Sequence, residues 1–237
     1  MSESLPYDIN FCFPVPQLLE NDRVKLVPFL PSEHADAFFA AIRAHDALFT
    51  YLPWGPFASV DDLLATLIVG RIQPDPGSVL FAVLDKTAPG APQLTGIIGL
   101  LDTSPAHLST ELGFVITLPR FQRTHVTSGA TGLLLRWALD ALAAGGLGLR
   151  RVAWKANTLN VSSVRAAERM GFRQEGVLRW ERALPAWKTE AGNGGGMREG
   201  DTLPNCVGRD TVLLSLCWDD WEGGARESVN AIMQRRS

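Results

Sequence analysis

The chain is poor in the residues that build disulfide frameworks, metal centres and membrane anchors. It has three cysteines in 237 residues, Cys12, Cys206 and Cys217, an odd number without metal-ligand spacing. They read as reduced thiols of a cytoplasmic protein. The four histidines, His34, His45, His107 and His125, lack zinc spacing, so no metal is assigned. No apolar run approaches membrane-spanning length, and no basic-then-apolar leader opens the chain, which points away from a membrane partner. Positive charge is not in excess either. Twenty-two Lys and Arg against 25 Asp and Glu give a net charge of -3, without the basic footprint of a nucleic-acid-binding protein.

What is there suits one globular core. Hydrophobic residues make up 46% of the chain, and its length fits a single domain with decorations. Residues 1–21, with Pro6, Pro14 and Pro16, read as an extended arm, residues 22–222 as the domain, and 223–237 as a C-terminal helix and basic tail with Arg235 and Arg236. Strands are expected at Arg23–Phe29, Val79–Leu84, Leu94–Leu101, Glu111–Thr117, Arg151–Lys155, Gln174–Arg182 and Thr211–Cys217. Helices are expected from Pro31 to about His45, from a Ser59/Asp62 capping box to about Ile72, from Thr124 to Ala144, and after Asn160. Residues 188–208 hold six glycines and little that is apolar, so they read as a flexible insertion. The mixture of strands and helices makes the fold class α+β, or mixed α/β.

The stretch from Asn160 to Phe172, Asn-Val-Ser-Ser-Val-Arg-Ala-Ala-Glu-Arg-Met-Gly-Phe, reads as a capped helix ended by Gly171 in a left-handed conformation. Its residue order resembles the Asn-x-x-Ser-x-Arg-x-Ala-Glu-Lys-x-Gly-Phe pattern of the GCN5-related N-acetyltransferases, in the branch typified by ribosomal-protein N-terminal acetyltransferases. The resemblance spans roughly Asp22 to Glu222. It implies a strongly twisted mixed sheet flanked by helices, acetyl-coenzyme A as co-substrate, and direct attack by an amine in a ternary complex. The acceptor is then a protein N-terminus or a small molecule, with a monomer and a homodimer both open.

The same resemblance assigns roles. The coenzyme pyrophosphate is expected on the amides opening the helix after Gln122, where the helix dipole favours an anion. The residues concerned are Gln122, Arg123, Thr124, His125, Val126, Thr127 and Ser128. The family's loop is Gln/Arg-x-x-Gly-x-Gly/Ala, so His125 and Thr127 stand where small residues are usual. Either the loop still binds through its amides and hydroxyls, or bulk has closed it and the chain is an inactive coenzyme-binding or protein-interaction module. Val115 and Ile116 are the backbone contacts expected for the pantetheine arm. Asn160 contacts the coenzyme, caps the helix, or does both.

Two residues are candidates for the chemistry. Glu111 is either the base that deprotonates the acceptor ammonium or a solvated strand-end carboxylate. Many relatives carry a tyrosine acid seven residues after the asparagine, but Ala167 stands there. Ser163 lies on the same helix face and is the candidate contact to the coenzyme sulfur, directly as proton donor or beside a water. Tyr51, Trp54 and Phe57 either grip the acceptor or pack a loop. Arg179 and Asp210 are expected to pair structurally.

Overall fold

The computed structural model describes residues 8–196 and 198–235. Pro6 and Arg236 of the expected arm and tail lie outside them. Eight strands form one sheet: β1 (Leu19–Glu20), β2 (Val24–Pro28), β3 (Val79–Asp85), β4 (Gln93–Ser104), β5 (Ser109–Thr117), β6 (Arg151–Asn157), β7 (Arg173–Pro185) and β8 (Cys206–Cys217), in the order β1-β2-β3-β4-β5-β6-β8-β7. All neighbours are antiparallel except β5 and β6. The architecture is the mixed α/β fold expected, with the sheet flanked by helices.

Central β3 and β4 bury successive residues, Val79 to Val83 and Thr95 to Leu100, so both faces of the sheet are covered there. Helix α1 (Pro31–Ile42) packs on α2 (Val60–Leu63), which continues in π-helical form over Leu64–Ile72. The capping box at its start forms in shifted form: Ser59 Oγ accepts from Asp62 N at 3.1 Å, while Asp62 Oδ2 accepts at 2.8 Å from the N–H of Ala58, the residue before the cap. The long helix α3 (His125–Leu139) lies across β1 to β6, with Trp137 edge-on to Phe81.

Several boundaries differ from the sequence reading. The expected helix to Ala144 stops at Leu139, because Asp140 turns to extended backbone and its buried carboxylate accepts from Trp221 Nε1 at 2.9 Å. A 3-10 turn, Leu142–Ala144, follows. Asp140 also meets Arg226 at 2.9 Å, tying α3 to the C-terminal segment. That segment comprises α5 (Trp218–Asp220), a π turn over Trp221–Ala225 broken at Gly224 with φ +119°, and α6 (Arg226–Gln234). Val229 and Met233 of α6 are buried and close on Gly132 of α3. Within the expected arm, Leu19 and Glu20 pair with β2, and Phe11 packs beside Trp137. The expected flexible insertion is also partly built: residues Ala186–Ala191 are a 3-10 helix whose Lys188 is buried.

Candidate functional site

The sheet comes apart at its centre. The parallel pair β5 and β6 is joined at Ser109↔Arg151, Thr110↔Val152 and Glu111↔Ala153, and pairing then stops. Beyond that point β6 stays with β8 as far as Asn157↔Thr211, while β5 stays with β4. Strand β5 also bulges. Ile97 faces Ile116 and Gly99 faces Gly113, so two steps along β4 match three along β5. The extra residue is accommodated by Phe114 at φ +54°, a left-handed conformation that bends the strand. Backbone groups released from a ladder must find other partners, so such a wedge suits an extended ligand carrying amides.

A cleft opens in this wedge. Glu111, Gly113, Phe114 and Val115 line one side, Trp154, Lys155, Asn157, Asn160 and Ser163 the other, and Tyr51 with Trp54 close it. Of the expected strand contacts, Val115 lines the cleft, whereas Ile116 is buried and back in register with Ile97. Of the aromatics, Tyr51 and Trp54 reach the cleft. Phe57 does not; it stacks behind Trp54, with ring centroids 5.9 Å apart.

Glu111 stands at the fork and is 7% exposed. Lys155 Nζ lies 2.8 Å from its Oε2, a charge contact outside hydrogen-bond alignment, and 3.3 Å from Asp102. Burial pushes the Glu111 carboxyl above the usual carboxylate range, against the pull of Lys155. Burial would lower the Lys155 amine, but Glu111 and Asp102 together outweigh it and the amine is raised. The sequence reading missed Lys155, because nothing in a short alternating strand says which side chain faces a buried acid.

Helix α4 (Val161–Arg169) supplies the facing wall. Asn160 is its N-cap, accepting from Ser163 N at 3.1 Å, and its side chain still lines the cleft. The helix ends as expected: Gly171 has φ +93°, Phe172 N donates to Ala167 O at 3.1 Å, and Phe172 packs edge-on to Trp154. Trp154 Nε1 donates to Ser163 Oγ at 3.0 Å. That bond uses an oxygen lone pair and leaves the serine proton available to the cleft.

The loop before α3 is arranged around its bulky residues. Gln122 Nε2 donates to Thr117 O at 3.1 Å, and Arg123 turns with φ +62°. Thr124 is the N-cap, its Oγ1 accepting from Val126 N, while Val126 itself is buried. His125 does not stand over the helix opening: its Nε2 lies 3.2 Å from Asp85 Oδ1 at the end of β3. Thr127 is likewise turned aside, sharing a 2.8 Å hydrogen bond with the Thr117 hydroxyl, and Ser128 Oγ donates to His125 O at 3.2 Å.

The rim nearest Tyr51 is stitched from distant segments. Lys188 is 4% exposed and donates to the carbonyls of Phe49 (2.9 Å), Leu52 (2.6 Å) and Trp54 (3.1 Å). Burial lowers its amine to about 8. Arg209 Nη1 donates to Tyr51 O at 3.3 Å, and Asn157 Nδ2 to Ala191 O at 2.7 Å. The expected Arg179–Asp210 pair is not formed; Asp210 accepts instead from Trp180 N at 2.8 Å and Asn193 at 3.0 Å. Away from the cleft, ligand atoms of Cys217, Asp219 and Asp220 gather within 4.8 Å of one another, with Asp220 also held by Arg173 at 2.7 Å.

Comparison with known proteins agrees with this geometry. The family model described as "Acetyltransferase (GNAT) domain" matches residues 23–173. A probable acetyltransferase of the GNAT family from Chromobacterium violaceum is 26% identical, with a TM-score of 0.70 over 94% of this chain and 98% of that one. A GCN5-related N-acetyltransferase from Brucella melitensis is 24% identical, with a TM-score of 0.73 over 98% and 90%. Spermidine N-acetyltransferase from Vibrio cholerae, solved with CoA and spermine, is 19% identical with a TM-score of 0.59 over 85% and 99%, and shares the fold. No curated protein matches the chain. With its sheet forked between β5 and β6 and its sequence matched over residues 23–173, the chain belongs to the GNAT acetyltransferase family.

Proposed function

We propose that this chain is a cytoplasmic N-acetyltransferase that moves an acetyl group from acetyl-coenzyme A to a primary amine, in the branch typified by ribosomal-protein N-terminal acetyltransferases. The carrying observation is the forked, bulged β5 with Glu111 on one wall of the cleft and Ser163 on the other. Support for the branch is the Asn160–Phe172 motif, which folds as its capping residues require. Residues Gln122 to Ser128 are the proposed diphosphate loop. The bulky His125 and Thr127 side chains are bonded to Asp85 and Thr117, which favours a loop that still offers its first-turn amides.

In this reading Lys155 keeps Glu111 ionised against its burial, and Glu111 takes a proton from the acceptor ammonium. The neutral nitrogen then bonds to the acetyl carbonyl carbon as the carbon–sulfur bond breaks. The departing thiolate takes a proton from Ser163 or from a water beside it, and that donor regains its proton from the nitrogen as the amide forms. Tyr51 and Trp54 hold the acceptor, and much of the rate comes from alignment.

Thermal melts with acetyl-coenzyme A test the proposal. At a hundredfold excess over Kd, selective binding to the folded state stabilises by about 2.7 kcal/mol. For a chain of this size that raises Tm by roughly 5–11 °C. No shift at saturating ligand would sink the assignment. A shift without thiol release from a broad amine panel would leave the inactive coenzyme-binding module as the better reading.

A further inference from the structure

The acceptor side of the cleft carries more positive charge than its neighbours neutralise. Four cationic side chains line it, Arg71, Lys155, Arg182 and Arg209, against two carboxylates, Glu111 and Glu181. Lys155 is taken by Glu111 at 2.8 Å and by Asp102, outside the cleft lining, at 3.3 Å, and Arg182 by Glu181 at 3.1 Å. Arg71 and Arg209 have no carboxylate partner among the described residues.

Arg209 is 6% exposed, and its Nε is buried without a hydrogen-bond partner among the described residues. Its guanidinium has one hydrogen bond among the described residues, the 3.3 Å contact with Tyr51 O. Arg71, on the last turn of the π-helical stretch, is half-buried, 6.0 Å from the centroid of the Phe114 ring. Burial lowers both arginines from their ordinary value and the charge of Arg182 lowers each further, against the pull of Asp102, Glu111 and Asp75 on Arg71 and of Glu181 and Glu111 on Arg209. Holding an unpaired guanidinium in such a place is costly unless something arrives to complete it. A coenzyme bound as proposed brings its phosphates to the opening of α3 and an uncharged thioester to the fork. An acceptor ammonium alone would add to the positive charge.

We infer that the acceptor carries a carboxylate as well as its amine, with Arg71 and Arg209 receiving the carboxylate while the amine meets Glu111. A planar, forked guanidinium matches a carboxylate better than an ammonium would. The same charge count disfavours a polyamine. This inference deepens the transferase reading and rests on it.

The test separates the two. Coenzyme binding is measured first, by the thermal shift with acetyl-coenzyme A. Thiol release is then followed with free L-amino acids, the amides of the same amino acids, dipeptides with Asp or Glu at the second position, their Asn and Gln counterparts, and spermidine. Each acid is expected to exceed its amide by about 10- to 100-fold in kcat/KM. Arg71→Gln and Arg209→Gln are expected to shrink that ratio mainly through KM, without changing the coenzyme shift. Arg71→Gln stands on its own if loss of the Tyr51 contact unfolds the Arg209 variant. Preference within the free amino acids marks a small acceptor; preference confined to the acidic dipeptides marks a peptide terminus. With coenzyme bound, equal use of amides or spermidine, or no use of any carboxylate-bearing amine, overturns the inference alone. Absence of the coenzyme shift overturns the transferase reading, and the inference with it.

Discussion

Replacing Lys188 with methionine removes one ammonium and keeps a chain of similar length and apolar character. Three carbonyls lose their donor, those of Phe49, Leu52 and Trp54. The first still accepts from Leu52 N at 3.1 Å, so two are left unpaired. A buried acceptor without a partner costs about 1–3 kcal/mol, or about 2–6 kcal/mol for two. Removing the buried ammonium relieves part of this, leaving a net loss of about 2–4 kcal/mol. Chemical denaturation should read that loss directly, and Tm should fall by roughly 4–16 °C. Because Tyr51 to Trp54 line the cleft, the acceptor KM should rise as well. Stability against pH gives a second signal. The folded amine is lowered to about 8 from 10.5, so between those values the unfolded chain binds more protons and stability rises with pH. The variant should lose that rise. A Lys188→Met protein within about 0.5 kcal/mol of its parent, with KM and pH profile unchanged, would refute the clamp.

Four further predictions concern other parts of the molecule. Glu111→Gln should lower kcat by about 10²- to 10⁴-fold without loss of coenzyme affinity. Lys155→Met should move the acidic limb of kcat/KM to higher pH, since Lys155 restrains an already raised carboxyl; an unmoved limb would remove Glu111 as the base. Glu175 accepts from Arg151 at 2.6 Å on each oxygen and from Ser215, with Arg151 the larger cause of its lowering to about 2. Its stabilisation is therefore present above about 4.5 and lost as pH falls through about 2. Glu175→Gln should cost about 1 kcal/mol at pH 7, since the pair is partly exposed, and little at pH 2 by urea melts. Gly132→Val should destabilise by about 1–3 kcal/mol, because a side chain there meets Met233 and Val229; an unchanged melt would mean α6 is not docked.

Local rules carried the sequence reading a long way. The Ser59/Asp62 box, the Asn160 cap and the Gly171 stop all form, because each depends on residues within four or five positions of itself. Strand cores were legible for the same reason. What escaped depends on distant partners. The end of α3 at Leu139 is set by Asp140 meeting Trp221, 81 residues away. Glycines around residue 194 masked the role of Lys188, whose three acceptors lie more than 130 positions earlier. Arg71 carried a faint signal, a lone cation in the apolar run Leu64–Ile72, but no pattern told which wall it would face. Among the site residues, Glu111, Ser163, Tyr51 and Trp54 share one cleft, whereas the side chains of Phe57 and Ile116 pack in the core.

Because Arg209 reaches back 158 residues to the Tyr51 carbonyl, the wall of the cleft nearest Tyr51 is not complete without the eighth strand. A chain cut short before that strand lacks Arg209 and with it this wall of the cleft. Under the proposed activity, turnover should therefore respond to damage near the C-terminus that a spectroscopic melt of the early strands would overlook.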